Sequence, residues 1–260
     1  MTPDERQVAA DTLWTAEVER RPIAPLTLEH PDMDVSDAYA IQLLNVERRV
    51  GAGRVVRGQK VGLSSRAMQE MMGVDEPDYG HLLDDMFVFE ESEVEIGTLC
   101  HPRIEPEVAF VLQEDLPTVG CNVADVLRST AYVVPAIEII DSRIADWKIG
   151  LCDTIADNAS SGRLVLGGQA TSIDRVDLRS LEATLWRNGE VLAKGSTGAV
   201  LGNPVTAVAW LANKLGSFGA AVEAGSVVLP GSCTRAFDVS SGDSVRATFD
   251  TVGGVAINFV

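Results

Sequence analysis

The residues best suited to chemistry are three glutamates on two strand-like runs. Glu105 and Glu107 flank Pro106 within Arg103-Ile104-Glu105-Pro106-Glu107-Val108-Ala109-Phe110. In an extended chain, side chains two apart share a face at a spacing of roughly 6–7 Å. Two carboxylates so placed repel each other unless something positive lies between them. A hard cation such as Mg²⁺ or Mn²⁺ takes oxygen ligands of this kind. The same spacing also describes two solvated glutamates on an acidic surface. Glu138 lies in Ala131–Ile140, with apolar residues on both sides. An ionised carboxylate there is costly to bury alone, so its partner is either a cation shared with Glu105 and Glu107 or a base such as Arg143. Pro106 offers no N–H to a ladder, which places its strand at a sheet edge or at a bulge.

Around these glutamates stand weaker candidates. Lys60, in Gly58-Gln59-Lys60-Val61-Gly62-Leu63, could move protons or hold an anion if buried, and is an ordinary surface lysine otherwise. Asp78, in Glu76-Pro77-Asp78-Tyr79-Gly80, reads locally as a turn aspartate. Residues 153–162 form a polar, glycine-terminated loop that suits a substrate or a helix cap. His81 follows closely on Asp78, but the three histidines lack metal-ligand spacing. There is no G-x-S-x-G elbow and no H-E-x-x-H, and Gly51-Ala52-Gly53 lacks the third glycine of a dinucleotide fingerprint.

The elements that must position these groups are legible in outline. Pro3 to Glu19 predicts a helix with Thr2 as N-cap and an acidic first turn. Ser36 to Val50 predicts a second, ended by Gly51. Strand-length runs follow at Phe87–Ile96, Ile104–Leu112, Tyr132–Ile140 and Leu164–Leu166. Leu181–Trp186 and Val191–Lys194 flank Asn188-Gly189, a hairpin signal. Pro204–Leu215 reads as a helix. Val245, Ala247 and Phe249 alternate before Gly253-Gly254, and Val255, Ile257 and Phe259 alternate after it, predicting an antiparallel pair with one buried face. The fold class is α+β: an N-terminal helical part (1–55) leading into a mixed, largely antiparallel β-rich body (56–260).

Composition bounds the function. The chain has 260 residues, 46% hydrophobic and 23% charged, enough for one large domain or two closely joined lobes. With 21 Lys plus Arg against 38 Asp plus Glu, the charge of −17 repels phosphate backbones and anionic lipid, which argues against nucleic-acid and membrane partners. The charged, amphipathic start is not a secretory signal. The apolar run 131–140 contains Pro135 and Glu138 and is too short to cross a bilayer. Four scattered cysteines (Cys100, Cys121, Cys152, Cys233) without a C-x-x-C pair fit a reduced, cytoplasmic protein.

Taken together, Gly58–Leu63, Pro77-Asp78-Tyr79-Gly80, Pro102–Glu107, Ala136-Ile137-Glu138 and Ala156-Asp157-Asn158-Ala159-Ser160 occur in a familiar order. From about Asp37 onward the chain resembles the 2-keto-4-pentenoate (2-hydroxypenta-2,4-dienoate) hydratase and 4-oxalocrotonate decarboxylase family of the fumarylacetoacetate hydrolase superfamily. The resemblance implies a Mg²⁺- or Mn²⁺-dependent homo-oligomeric enzyme of meta-cleavage catabolism of aromatics or steroids. It maps the metal carboxylates onto Glu105, Glu107 and Glu138, the active-site lysine and aspartate onto Lys60 and Asp78, and a substrate-binding serine onto Ser160. It also implies a small 2-oxo or 2-hydroxydienoate substrate, with a downstream aldolase or a sister decarboxylase as protein partner. The family's E-A-E is Glu105-Pro106-Glu107 here, and Pro230–Thr234 departs from the Ser-Gly-Ala-Leu-like version of many hydratases. Asp146-Trp147-Lys148-Ile149 with Asp153–Asp157 resembles hydratases more than decarboxylases. The expected activity is hydration of a 2-hydroxy-2,4-dienoate, with 4-oxalocrotonate decarboxylation and a non-catalytic subunit role as alternatives.

Overall fold

The computed structural model describes residues 1–260, apart from the side chains of Met71 and Met72. Helix α1 (Pro3–Glu19) starts at a capping box: Thr2 Oγ1 accepts the Glu5 N–H while Glu5 accepts the Thr2 N–H. After the single turn α2 (Leu26–Glu29), helix α3 (Val35–Gly51) repeats the device with Asp34 and Asp37. Apolar residues of both long helices, among them Ala9, Leu13, Ala38, Tyr39 and Ile41, join the main core shared with the β-rich body.

That body holds two sheets. The larger contains β1 (Val56–Gly62), β2 (Asp78–Leu83), β3 (Phe87–Val88), β5 (Pro102–Leu112), β6 (Thr130–Asp141), β7 (Ser161–Leu166), β10 (Val227–Leu229) and β11 (Phe237–Asp238), in the order β2-β1-β10-β5-β6-β7-β3 with β11 also on β5. The smaller runs β4-β13-β12-β8-β9, from β4 (Glu93–Val94), β13 (Gly253–Phe259), β12 (Ser244–Phe249), β8 (Glu182–Arg187) and β9 (Glu190–Ser196). Helices α4 (Arg66–Met72), α5 (Val123–Ser129), α6 (Leu151–Ala156) and α7 (Pro204–Ser217) fill the connections. Pairing is mixed and mostly antiparallel; β1–β10, β3–β7 and β4–β13 are parallel. The Asn188-Gly189 hairpin and the β12–β13 pair form as their patterns predict.

Strand parity sorts the large sheet into two faces. Ile104, Val108 and Phe110 of β5 and Val133, Ile137 and Ile139 of β6 point into the main core. The alternate residues, Ala109 of β5 with Val134 and Ala136 of β6, join a smaller apolar cluster with Leu82, Leu164 and Leu229. Glu105, Glu107 and Glu138 share the parity of that second face. Strand β2 also touches β7.

Two expectations are corrected. Phe87–Ile96 is not one strand: Glu91 takes a left-handed φ of 61° in a turn that separates β3 from β4, and the two pieces join different sheets. Pro106 is neither on an edge strand nor at a bulge. Strand β5 is interior and its register with β6 is regular through Pro106↔Ile137. Its other side pairs β11 at Arg103 and Ile104 and β10 at Phe110 and Val111, leaving a gap between. The Pro106 carbonyl faces this gap, where it accepts the Ser232 hydroxyl at 3.2 Å, so the missing N–H breaks no ladder bond.

Candidate metal centre and its surroundings

Sheet register brings the three glutamates together. Glu105 lies directly opposite Glu138 across the β5–β6 pair, and Glu107 is two residues further along the same face. One carboxylate oxygen from each lies within 4.8 Å of the others. Glu107 and Glu138 are 2% and 1% exposed, while Glu105 keeps some access at the rim.

Lys60 and Asp78 arrive from β1 and β2, beyond β10 in the same sheet. Lys60 pairs opposite Gly80, and Asp78 opposite Gly62. The glycines clear the face. A Cβ on Gly62 would stand 2.1 Å from Asp78 Oδ1, and one on Gly80 would stand 2.3 Å from the Asn158 carbonyl. In Gly-x-Lys-x-Gly the second glycine, Gly62, thus makes room for the facing aspartate and the lysine, while a Cβ on the first, Gly58, would run into the Val227 carbonyl of β10 at 1.8 Å. Asp78 begins β2 and is buried, so the turn reading does not hold. Lys60 is 4% exposed and is no surface lysine. Its Nζ lies 3.3 Å from Glu138 Oε1 and donates to the Ala159 carbonyl at 3.1 Å.

Glu138 therefore pairs with Lys60, and Arg143 pairs with Asp157 instead. Ser160 is buried in a short turn after α6, its Oγ 3.5 Å from Thr154 Oγ1, and that turn packs against β1 and β2. His81 is held by Gln42: its Nδ1 sits 3.0 Å from Gln42 Oε1, while the Gln42 amide donates to the Tyr79 and Ile155 carbonyls. Trp147 is half-buried at the surface beneath Arg103, its ring 4.6 Å from the guanidinium.

Electrostatics make the cluster costly without a cation. Burial, then the charge of Glu138, pushes Glu105 up to about 7. Burial followed by its two acidic neighbours raises Glu107 well above the carboxylate range. Burial raises Glu138 against the opposing pull of Lys60, and raises Asp78 in the same way. Burial opposes the Lys60 ammonium, but the charges of Glu138, Asp78, Glu105 and Glu107 outweigh it and keep the group protonated. Among the described residues, Glu107 Oε1 and both oxygens of Glu138 receive no hydrogen bond. Glu107 Oε2 is satisfied, by the Gly231 N–H at 2.7 Å. Buried acceptors without donors are rare, and an all-oxygen set with free lone pairs fits a hard divalent cation.

Several of these supports leave little trace in the sequence. The Gly231 donor comes from Pro230–Thr234, a segment notable only for departing from the hydratase pattern. Asn158 is visible only as a member of the run 156–160, with no role of its own: its side chain accepts the His81 N–H at 2.7 Å and donates to the His81 carbonyl at 2.9 Å, acting as a strand partner to β2.

The chain is similar to proteins built on the same plan. It is 44% identical over 259 residues to a 2-keto-4-pentenoate hydratase of Paraburkholderia xenovorans (strain LB400), covering 100% of this chain and 96% of that one. It is 48% identical over 212 residues to a 2-hydroxypent-2,4-dienoate hydratase of Pseudomonas putida, covering 81% and 96%. Among solved structures, a 4-oxalocrotonate decarboxylase from Pseudomonas putida G7, complexed with magnesium and adipate, matches with a TM-score of 0.96 at 37% identity, covering 100% and 99%. The fumarylacetoacetate (FAA) hydrolase C-terminal family matches residues 55–260, the whole stretch that carries Lys60, Asp78 and the three glutamates. On that match and these near-full-length likenesses, the chain belongs to the fumarylacetoacetate hydrolase family.

Proposed function

We propose that this protein is a hydro-lyase that adds water to 2-hydroxypenta-2,4-dienoate or a close homologue, giving a 4-hydroxy-2-oxo acid in the catabolism of aromatic compounds. The observation that carries the reading is the convergence of three carboxylates, two of them buried with unpartnered oxygens, in a chain 44–48% identical to hydratases of such dienoates. Glu105, Glu107 and Glu138 would hold one Mg²⁺ or Mn²⁺. When bound, the ion supplies Lewis acidity toward the carboxylate and C2 oxygen of a 2-oxo acid.

The remaining work falls to the chain's own groups. Loss of the C2 hydroxyl proton to a base and protonation at C5 convert the dienol to its isomeric 2-oxo acid with a C3=C4 double bond. Water then adds, its hydroxyl to C4 and a proton to C3. Lys60, kept protonated by its acidic neighbours, supplies a proton and a positive charge. Asp78, buried beside it with an unpartnered Oδ1, accepts a hydrogen bond from water or carries a proton between steps. Ser160 offers a hydroxyl to the substrate carboxylate. Lys60→Met is expected to lower kcat about 10²–10⁴-fold, the range for loss of a general acid or base, with divalent-ion affinity no weaker. Steady-state kinetics and ion titration check both.

A second reading, decarboxylation, is favoured by the likeness to the magnesium- and adipate-complexed decarboxylase. Purified protein, Mg²⁺ and freshly generated 2-hydroxypenta-2,4-dienoate separate the two. Loss of dienol absorbance, with no CO₂ from 4-oxalocrotonate, is the expected result. CO₂ release would move the assignment to decarboxylase, and no turnover of either compound would remove the enzymatic reading.

A further inference from the structure

Asn158, Ala159 and Ser160 are three consecutive non-glycine residues with φ of 53°, 50° and 54°. Left-handed backbone is unfavourable for L-residues, and a run of three persists only where the surroundings over-determine it. Arg143 supplies that constraint. It is buried, and its backbone N–H donates to Asp157 Oδ2 at 2.9 Å. Its Nε donates to Asp157 Oδ1 and its Nη2 to the Asp157 carbonyl at 2.6 Å. Its Nη1 donates to the carbonyls of Ser161 at 2.9 Å and Asp141 at 2.6 Å. One guanidinium thus grips the residue before the turn and the residue after it, and ties both to the end of β6, the strand that carries Glu138.

The turn's output is the Ala159 carbonyl, which receives Lys60 Nζ. We propose that Arg143 is a positioning residue: by fixing Asp157 and Ser161 it enforces the left-handed turn whose Ala159 carbonyl aims the Lys60 ammonium. This rests on the role given to Lys60 above. Lysine cannot replace the guanidinium, because a point charge lacks the planar fork that reaches acceptors on both sides of the turn.

The test is Arg143→Lys, read in two ways. In substrate-free protein, amide hydrogen exchange at residues 157–161 should rise at least tenfold while β5 and β8–β9 keep their protection. In turnover, kcat should fall at least thirtyfold with KM and Mn²⁺ affinity within threefold. Arg143→Lys should cost less than threefold when added to Lys60→Met. Uniform exchange across the molecule, kcat within twofold of the parent, or losses that multiply fully with Lys60→Met would each overturn the proposal. If Arg143→Lys does not fold, Arg143→Ala refolded with guanidinium chloride takes its place. Protection of 157–161 and kcat must then rise together with guanidinium concentration, and recovery of fold without either refutes the assignment. Should the unsubstituted protein not turn over the dienoate, the function reading fails, and hydrogen exchange still decides the positioning claim.

Discussion

Two clusters of buried charge lie on and beside β6, and they are built in opposite ways. Around Arg143, the guanidinium, the Asp157 carboxylate and three backbone carbonyls satisfy one another. Around Glu138, three carboxylates share one ammonium, and among the described residues three of their oxygens receive no hydrogen bond. Glu107 and Glu138 are as deeply buried as Arg143 and Asp157, so the difference is not one of burial. Charge closed on itself holds a backbone in place. Charge left open is costly to the empty protein and becomes favourable only when something positive enters. The first pattern marks a support and the second a site.

Removing a member of each cluster should therefore give contrasting results. Glu138→Gln or Glu107→Gln is expected to abolish divalent-dependent turnover, by about 10⁴-fold or more (on the order of 5 kcal/mol). In chelator the same variant should melt no lower than the parent, because a repelling carboxylate has been removed. Kinetics paired with calorimetry checks this, and a large drop in melting temperature would erase the contrast. Asp157→Asn should do the reverse, costing roughly 3–5 kcal/mol of stability because it strands a buried guanidinium. Denaturant unfolding measures it, and a loss below about 1 kcal/mol would make the pair dispensable.

How far this contrast is legible in the sequence depends on the kind of signal. Glu138 is conspicuous because a carboxylate amid Val, Ile and Ala has to be compensated. Glu105 and Glu107 are legible through strand parity, since two residues apart is one face. The helix cap at Thr2 and the Asn188-Gly189 hairpin are local rules that nothing tertiary overrides, and the Asp34 cap of α3 is a local signal of the same kind that a helix start at Ser36 passes over. Asp78 misleads, because Pro and Gly around an aspartate signal a turn, whereas here Gly80 is a clearance for the Asn158 carbonyl inside a strand. The 158–160 turn has no glycine to announce its left-handed backbone, and what imposes that backbone is Arg143, well upstream in the chain. The open side of β5 at Pro106 is likewise set by where β10 and β11 stop, which is long-range information.

His81 offers the smallest expected effect and a sign opposite to that of the carboxylates. Burial lowers it to about 4, and its Nδ1–H donates to Gln42, so it folds neutral. Its contribution to stability is present above the unfolded value of about 6.5 and is lost as pH falls toward 4, on the order of 3 kcal/mol at most. The raised carboxylates of the site act the other way in chelator. Their contribution is full below the unfolded carboxylate range and is lost as pH rises through their raised values, which for Glu105 is about 7. Comparing denaturant unfolding of the parent and His81→Asn at pH 7 and pH 4.5 isolates the histidine, whose loss should flatten the acid limb. An unchanged difference between the two pH values would place its titration elsewhere.

The most direct measurement is titration of the metal-free protein with Mn²⁺, followed by electron paramagnetic resonance, alongside Glu107→Gln and Glu138→Gln. The account predicts one bound ion per chain in the parent and affinity weakened at least a hundredfold in each variant with the fold intact. Equal binding in all three proteins, or none in the parent, would contradict it.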